Sequence, residues 1–133
     1  MISKDREIIL ESDLKKISCF QDQDMLKNIL KNLILNAIKY SPEDRSVMVN
    51  TELIQDNKVS ITIIDQGIGI PKKDQDHLFE RFFRAQNTTA IQGTGLGLNL
   101  AQKFAEFING KINFKSEENK GSQFSIIFAR ELK

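Results

Sequence analysis

The sequence has 133 residues, of which 40% are hydrophobic and 28% charged, and this composition favours one globular domain over a disordered or fibrous chain. The 19 basic and 18 acidic side chains leave a net charge of +1, too small for the broad positive field that nonspecific nucleic-acid binding requires. An anionic ligand would therefore have to be bound by a few local groups.

The opening residues are rich in charge, with Lys4, Asp5, Arg6 and Glu7 in succession. They lack the apolar core of a signal peptide, and no apolar run approaches the roughly 20 residues of a membrane span. Cys19 is the only cysteine, which excludes an internal disulfide. We therefore expect a soluble, cytoplasmic domain.

The first predicted elements are two short strands, at the apolar runs 8–10 and 17–20. The hydrophobic period then changes to three and four residues, which predicts a helix that begins near residues 22–24 and ends before Pro42. Its apolar stripe consists of Leu26, Ile29, Leu30, Leu33, Ile34, Ala37 and Ile38.

Residues 47–53 and 59–64 are rich in β-branched side chains and flank a polar turn, so they predict a hairpin. A short helix over 74–83 and a polar loop over 84–92 follow.

An apolar helix over 96–108 ends at Asn109 and Gly110, a pair typical of a left-handed cap. Two final strands, 111–115 and 123–129, flank a turn.

The long helix carries polar side chains opposite its apolar stripe, with Asn28, Asn32, Asn36 and Lys39 on one side and Tyr40 at the edge. Asparagine is a poor helix former, so its repetition on one stripe calls for a reason. An amide oxygen can bind a hard cation and a lysine can bind phosphate. The alternative is a solvated helix face.

Two glycine-containing segments are the other candidates for ligand binding. In 65–71, Asp65 follows a strand and precedes two glycines, which would let a carboxylate point into a cleft and a flat ring approach the backbone. The alternative is a tight turn capped by aspartate. In 93–97, three glycines open a helix whose free amides and dipole favour phosphate, although the spacing is not that of the dinucleotide or Walker motifs.

In this order, the segments resemble the catalytic ATP-binding (HATPase_c) domain of bacterial sensor histidine kinases, in the superfamily shared with gyrase, heat-shock chaperone and mismatch-repair ATPases. The resemblance covers nearly the whole chain. Its motifs are the N box at 32–40, the first glycine box at 65–69, the F box at 79–83, the second glycine box at 93–97 and a closing motif at Gly121 and Ser122.

The resemblance implies an α+β fold, a two-layer sandwich of the Bergerat ATP-binding type. A mixed sheet of about five strands would be covered on one face by three helices, with residues 1–133 forming a single domain. ATP would lie between the helix layer and a mobile lid at 84–92.

The same resemblance assigns roles to individual residues. Asp65 would accept from the adenine amino group, and Asn36 would coordinate Mg²⁺ that bridges the phosphates. The residues expected to bind the cofactor are Asn32, Asn36, Lys39, Tyr40, Asp65, Gly67, Gly69, Ile70, Arg84, Gly93, Thr94, Gly95, Leu96, Gly97 and Ser122.

The implied activity is transfer of the γ-phosphoryl group of Mg-ATP to a histidine on a separate dimerisation domain, which passes it to a response regulator in two-component signal transduction. No nucleic acid or direct membrane contact is expected, although the parent kinases of this type are commonly membrane-anchored. No catalytic residue is expected in this chain beyond those that position ATP. His77, the only histidine, lacks the following acid of a common phosphoacceptor motif, so the isolated domain should not label itself.

Two alternatives are an ATP-hydrolysing module and a nucleotide-binding module without catalysis. Hydrolysing relatives place a general-base glutamate one helical turn before the magnesium-binding asparagine, and here that position is Asn32, whose amide cannot take a proton from water. The sequence leaves open whether Arg81 and Arg84 bind phosphate or dock the histidine domain. Phe79, Phe82 and Phe83 are expected to pack in the core or against the lid.

Overall fold

The computed structural model describes residues 8–12, 19, 21–85 and 96–130. Two α-helices and five strands lie within these ranges, together with 3-10 helices at Gln55–Asn57 and Lys72–His77. In chain order they are β1 (Ile8–Ser12), α1 (Gln23–Tyr40), β2 (Val47–Ile54), β3 (Lys58–Asp65), α2 (Gly97–Phe107), β4 (Lys111–Glu117) and β5 (Gly121–Ala129).

The strands form one mixed sheet in the order β1-β2-β3-β5-β4. β1 and β2 are parallel, and the other neighbouring strands are antiparallel. The expected mixed sheet of five strands is therefore confirmed, and so is the predicted hairpin of β2 and β3. No helix of the described residues is long and apolar enough to cross a membrane.

The two faces of the sheet differ in polarity because side chains alternate along each strand. One cross-strand row consists of Val49, Ile63, Phe124 and Phe114, and the next consists of Asn50, Thr62, Ser125 and Asn113. Val49, Ile63 and Phe124 belong to the core cluster, and Phe114 packs against it. The same cluster contains the buried residues of both helices, which are Ile29, Leu33, Ala37, Ala101 and Ala105. The helices thus cover the apolar face, and each large side chain buried there contributes about 1.5–3 kcal/mol.

Helix α1 has the ends that its sequence predicts. The Asp22 carboxylate caps the helix by accepting from the backbone N–H of Met25 at 3.1 Å. At the other end Ser41 is extended (φ −104°, ψ 149°), as expected for a residue that precedes proline.

Two sequence expectations need correction or lie outside the described residues. The predicted helix at 74–83 is a 3-10 helix at Lys72–His77 followed by turns, and none of the residues in that helix is buried. A longer α-helix needs an apolar face packed on the core along its whole length. The apolar residues that reach the core, Leu78, Phe79 and Phe83, follow the 3-10 helix, and residues 72–77 bury none. Of the second predicted strand, only Cys19 is described, and it lies in no strand. The predicted left-handed cap after α2 is confirmed, because Asn109 has a φ of 56°.

Candidate functional site

A cavity of about 400 Å³ opens between α1, the end of β3, and the start of α2. Most residues predicted from the sequence to bind a cofactor line it. These are Asn32, Asn36, Lys39, Tyr40, Asp65, Gly69, Ile70, Arg84, Leu96, Gly97 and Ser122. Of the rest, Gly67 is described but does not line the cavity, and Gly93, Thr94 and Gly95 lie outside the described residues.

Asp65 is the only acidic side chain among the described residues that line the cavity. It ends β3 and is 9% exposed, and its Oδ1 accepts from the backbone N–H groups of Gly67 at 2.9 Å and Ser122 at 3.2 Å. Burial raises the pKa of this carboxyl above its ordinary value, while these two hydrogen bonds act in the opposite direction. Within the described residues no protein donor occupies Oδ2, so this oxygen can accept a hydrogen bond from a ligand.

Lys39 and Arg84 give another part of the cavity its positive charge. Burial and, to a lesser degree, the nearby Arg84 guanidinium lower the pKa of Lys39. Arg84 also hydrogen-bonds Tyr40, whose pKa is raised by burial in spite of that contact. Lys39 Nζ lies 5.8 Å from the centroid of the Tyr40 ring. Two neighbouring cations concentrate positive charge in this part of the cavity, which suits an anion.

The asparagine stripe of α1 divides into a solvent-facing part and a cavity-facing part. Asn28 is exposed and does not line the cavity, so the solvated-face interpretation holds for this residue. Asn32 and Asn36 line the cavity one turn apart, and Asn32 Nδ2 donates to the Asn28 carbonyl oxygen at 2.9 Å. That bond leaves the Asn32 amide oxygen available, as an acceptor, to a ligand or cation.

A divalent cation at this site would need oxygen ligands from a bound molecule in addition to those of the protein. The described residues contain no group of three or more His, Cys, Asp or Glu side chains arranged to hold a metal. Mg²⁺ is commonly bound by few protein oxygens together with water and substrate phosphates. The amide oxygen of Asn36 is suited to that role.

The glycines of the 65–71 segment serve the packing of the protein itself. A Cβ on Gly67 would lie 2.2 Å from the Tyr40 carbonyl oxygen, and one on Gly69, where φ is +67°, would lie 2.0 Å from the Glu117 carbonyl oxygen. The segment therefore packs closely against the end of α1 and the β4–β5 turn. At the end of α1, the Ile68 N–H donates to the Tyr40 carbonyl oxygen at 3.2 Å. From the sequence, we explained these glycines by the close approach of a ligand ring. At Gly67 the geometry gives a different reason, which is packing within the protein.

An apolar wall completes the cavity, and sequence reasoning did not assign most of it to the site. Its additional residues are Leu35, Ile68, Leu78, Phe83, Ala85, Leu98, Leu100 and Phe124. Their apolar character is evident in the sequence, but an ordinary core residue has the same character. An apolar wall together with a buried carboxylate suits an aromatic ring that carries a hydrogen-bond donor.

The F-box phenylalanines have different environments. Phe79 packs on Phe114 with ring centroids 5.9 Å apart, and Phe83 lines the cavity, whereas Phe82 is 64% exposed. The expectation of core packing is therefore wrong for Phe82, and its alternative, packing against the lid, concerns residues of which most lie outside the described ones. The Arg81 guanidinium carbon lies 5.7 Å from the Phe82 ring centroid, and Arg81 does not line the cavity.

His77 lies on the surface and does not line the cavity, although its ring centroid is 5.6 Å from that of Phe83, which does. Its Nδ1 is 2.6 Å from Glu80 Oε2, and the hydrogen bond with Glu80 raises the pKa of the imidazole. Most of the predicted lid, residues 86–92, lies outside the described residues, and its described part, Arg84 and Ala85, lines the cavity.

Comparisons with known proteins agree with this geometry. A family model for histidine kinase-, DNA gyrase B-, and HSP90-like ATPases matches residues 21–132. The signal transduction histidine-protein kinase ArlS of Staphylococcus aureus is 46% identical over 95 residues, which are 70% of this chain and 21% of ArlS. The chain thus spans about a fifth of the length of that relative.

Solved structures show the same fold. The catalytic domain of histidine kinase ThkA matches with a TM-score of 0.80 and 27% identity, over 95% of this chain and 81% of that structure. The mycobacterial sensor histidine kinase MprB matches with a TM-score of 0.76 and 25% identity, over 95% of this chain and 86% of that structure. The chain therefore belongs to the family of histidine kinase-, DNA gyrase B- and HSP90-like ATPases, as a catalytic ATP-binding domain of the histidine kinase type.

Proposed function

We propose that this domain binds Mg-ATP in the described cavity and donates the γ-phosphoryl group to a histidine on a separate dimerisation domain. Asp65 accepts a hydrogen bond from the adenine amino group, and Asn32, Lys39, Tyr40 and Arg84 contact the triphosphate. The second glycine box, Gly93 to Gly97, contributes backbone amides to the phosphates.

The observation that supports this proposal is the separation of charge within one cavity. Among its described lining residues the cavity has one buried carboxylate, Asp65, and two cations, Lys39 and Arg84, and neither cation is among the groups that shift the pKa of Asp65. An adenine nucleotide has the complementary distribution, with a flat ring and an amino donor at one end and a polyanion at the other. Because the chain as a whole is nearly neutral, this local arrangement and not the net charge would hold the phosphates.

Magnesium would be held by the Asn36 amide oxygen together with phosphate oxygens and water. When bound, the ion neutralises charge on the transferring phosphoryl group. The protein groups then have mainly a positioning task, because phosphoryl transfer depends on alignment and electrostatic stabilisation more than on covalent chemistry.

Transfer is favoured over hydrolysis by the acid–base character of the cavity. Asp65 is the only carboxylate in the part of the lining that the structure describes, and the proposal places it against the base and not beside the phosphates. Asn32 occupies the position of the hydrolytic glutamate and cannot act as a general base. A water molecule near the γ-phosphate would therefore lack an acceptor for its proton, and hydrolysis by the domain alone should be near background.

The partners in this proposal are the histidine-bearing domain of the same kinase and, through that histidine, a response regulator. The domain would act in the cytoplasm, where ATP is available, within a parent protein that further segments anchor and dimerise. Residues 1–133 form one functional unit in this scheme.

The test is phosphoryl transfer in trans. The domain is mixed with a histidine-bearing dimerisation domain from an ArlS-type kinase and with γ-labelled ATP and Mg²⁺, and the label on the acceptor is assayed for acid lability. We expect acid-labile, alkali-stable label on the acceptor only, and its loss with the Asn36→Asp variant. Nucleotide binding without transfer would favour the non-catalytic alternative, and rapid phosphate release without an acceptor would favour the hydrolase.

A further inference from the structure

The loop that follows β3 forms part of the cavity wall, and hydrogen bonds hold its backbone on two sides. Ile68, Gly69 and Ile70 of this loop line the cavity. The Ile68 N–H donates to the Tyr40 carbonyl oxygen at 3.2 Å, and the Ile68 carbonyl oxygen accepts from the Asn119 N–H at 2.6 Å. The middle of the loop is therefore held between the end of α1 and the β4–β5 turn.

The end of the loop is held by a side chain from outside the cavity. The Ile70 N–H donates to Ser116 Oγ at 2.8 Å, and the Ile70 carbonyl oxygen accepts from Gln75 Nε2 at 3.1 Å. Gln75 Nε2 also donates to the Ser116 carbonyl oxygen at 3.1 Å. One side-chain amide thus joins the loop to strand β4, although Gln75 itself does not line the cavity.

The partners of Gln75 fix the direction of both hydrogen bonds. A backbone carbonyl group can only accept, so the NH₂ group of Gln75, which has two N–H donors, must face both oxygens. A methionine has a similar length but no donor, and it could form neither bond. The link between Ile70 and β4 therefore depends on the amide and not only on the size of the side chain.

The surroundings of Gln75 make this link separable from the core. Gln75 lies in the 3-10 helix Lys72–His77, in which no residue is buried, and its own side chain is half-buried. A substitution at this position removes no buried apolar side chain. We therefore expect such variants to fold, with their main effect on the position of the loop.

We infer that Gln75 is a positioning residue for the base end of the cavity: by binding the carbonyl groups of Ile70 and Ser116 together, it keeps the Ile70 side chain against the ring of the nucleotide. This inference rests on the proposed placement of adenine beside Asp65, which the loop follows directly. A wall residue contacts a flat ring fully only if its backbone is held to within a fraction of an ångström, and hydrogen bonds from neighbouring residues provide that restraint. Because Ile70 is assigned to the base and not to the phosphates, Gln75 should affect adenosine and ATP by the same factor.

The test measures dissociation constants of the folded domain for adenosine and Mg-ATP by NMR titration, which tolerates weak binding. We expect Gln75→Met to weaken both by about three- to tenfold, the effect of losing one or two neutral hydrogen bonds. In the same variant without nucleotide, the Ile70 amide should exchange its hydrogen faster than in the parent, because the loop opens more often.

The matched control is Gln21→Met. Gln21 Nε2 also donates to a strand carbonyl, that of Ala129 at 2.7 Å, but Ala129 lies at the opposite end of β5 from Ser122. Gln21 does not line the cavity, and its substitution should leave both dissociation constants unchanged.

A double-mutant cycle identifies the route of the effect. In an Ile70→Ala background, Gln75→Met should not weaken adenosine binding further, because the side chain that Gln75 positions is gone. An equal loss of affinity in the parent and in the Ile70→Ala background would overturn the inference, since a general loosening of the fold would act in both.

A folded Gln75→Met domain with the adenosine affinity of the parent would also overturn the inference while leaving nucleotide binding intact. If that variant does not fold, Gln75→Ala takes its place, because it leaves room for water to hydrate the two carbonyl groups. Parent-like affinity of the alanine variant would overturn the inference equally. A folded parent domain that binds neither adenosine nor Mg-ATP would refute the proposed function, and this inference with it.

Discussion

Replacing Asp65 by asparagine tests the purine end of the site at a single atom. The carboxylate is 9% exposed, and its Oδ1 already holds the amides of Gly67 and Ser122. An asparagine that keeps its oxygen towards these two amides must turn its NH₂ group to the cavity. There it would meet the adenine amino group, so that a donor faces a donor.

The size of the effect follows from the type of hydrogen bond that is lost. A hydrogen bond to a charged group contributes about 1.5–3 kcal/mol, which corresponds to a loss of affinity of about ten- to a hundredfold. The measurement is calorimetric titration of the variant with Mg-ATP and Mg-ADP at neutral pH. Both nucleotides should be affected equally, because the change lies at the base and not at the γ-phosphate.

The control for this substitution is Asp56→Asn. Asp56 is an exposed residue in the turn between β2 and β3, and its φ of 63° is a conformation that asparagine also adopts readily. It lies at the opposite end of β3 from Asp65, about 25–30 Å away along an extended strand. Parent-like nucleotide affinity in a folded Asp65→Asn protein would refute the assignment of the carboxylate to the base.

Further predictions concern stability and the phosphate end of the site. Burial raises the pKa of Asp65 above its ordinary value of 3.8. The contribution of this carboxyl group to the free energy of unfolding is therefore complete below pH 3.8 and is lost as the pH rises through the raised pKa. Scanning calorimetry should therefore give Asp65→Asn a higher melting temperature than the parent at pH 7, and this difference in melting temperature should become smaller towards pH 4. A Cβ on Gly67 meets the Tyr40 backbone at 2.2 Å, whereas one on Gly97 meets only a side-chain oxygen at 3.8 Å. Urea unfolding should show Gly67→Ala destabilised by about 1–3 kcal/mol and Gly97→Ala at least as stable as the parent; equal effects would contradict the packing argument. Lys39→Met should weaken ATP binding about tenfold or less and leave adenosine binding unchanged, and the ATP difference should shrink at high salt in titrations.

Local sequence signals were sufficient for the elements with a strong period. The apolar stripe of α1 and the proline after it fixed that helix almost to the residue, and β-branched runs fixed the β2–β3 hairpin. The segment after Pro71 was harder, because its charged and aromatic residues fit a helix by propensity while none of the residues at Lys72–His77 is buried. Short helices depend on tertiary packing, which propensity does not report.

The candidate site was also only partly visible in the sequence. The position of Asn32, Asn36 and Lys39 on one side of α1 follows from helical geometry alone, and the family motifs pointed to Asp65 and the glycines. The contribution of Phe83 to the cavity could not be separated from ordinary core packing, since both require the same apolar side chain.

By itself, the sequence determined which side chains each helix and strand could present, because periods of 3.6 and 2 residues are properties of the local backbone. Only the tertiary structure decided that Ser122 lies beside Asp65 and Ser116 beside Ser122, because strand order and register bring together residues that are far apart in the chain. It also decided that the Tyr40 carbonyl group lies where a Cβ at Gly67 would collide with it. The physical reason is the same in both cases: steric fit and hydrogen-bond pairing between separate segments depend on three-dimensional distance, which no local pattern encodes.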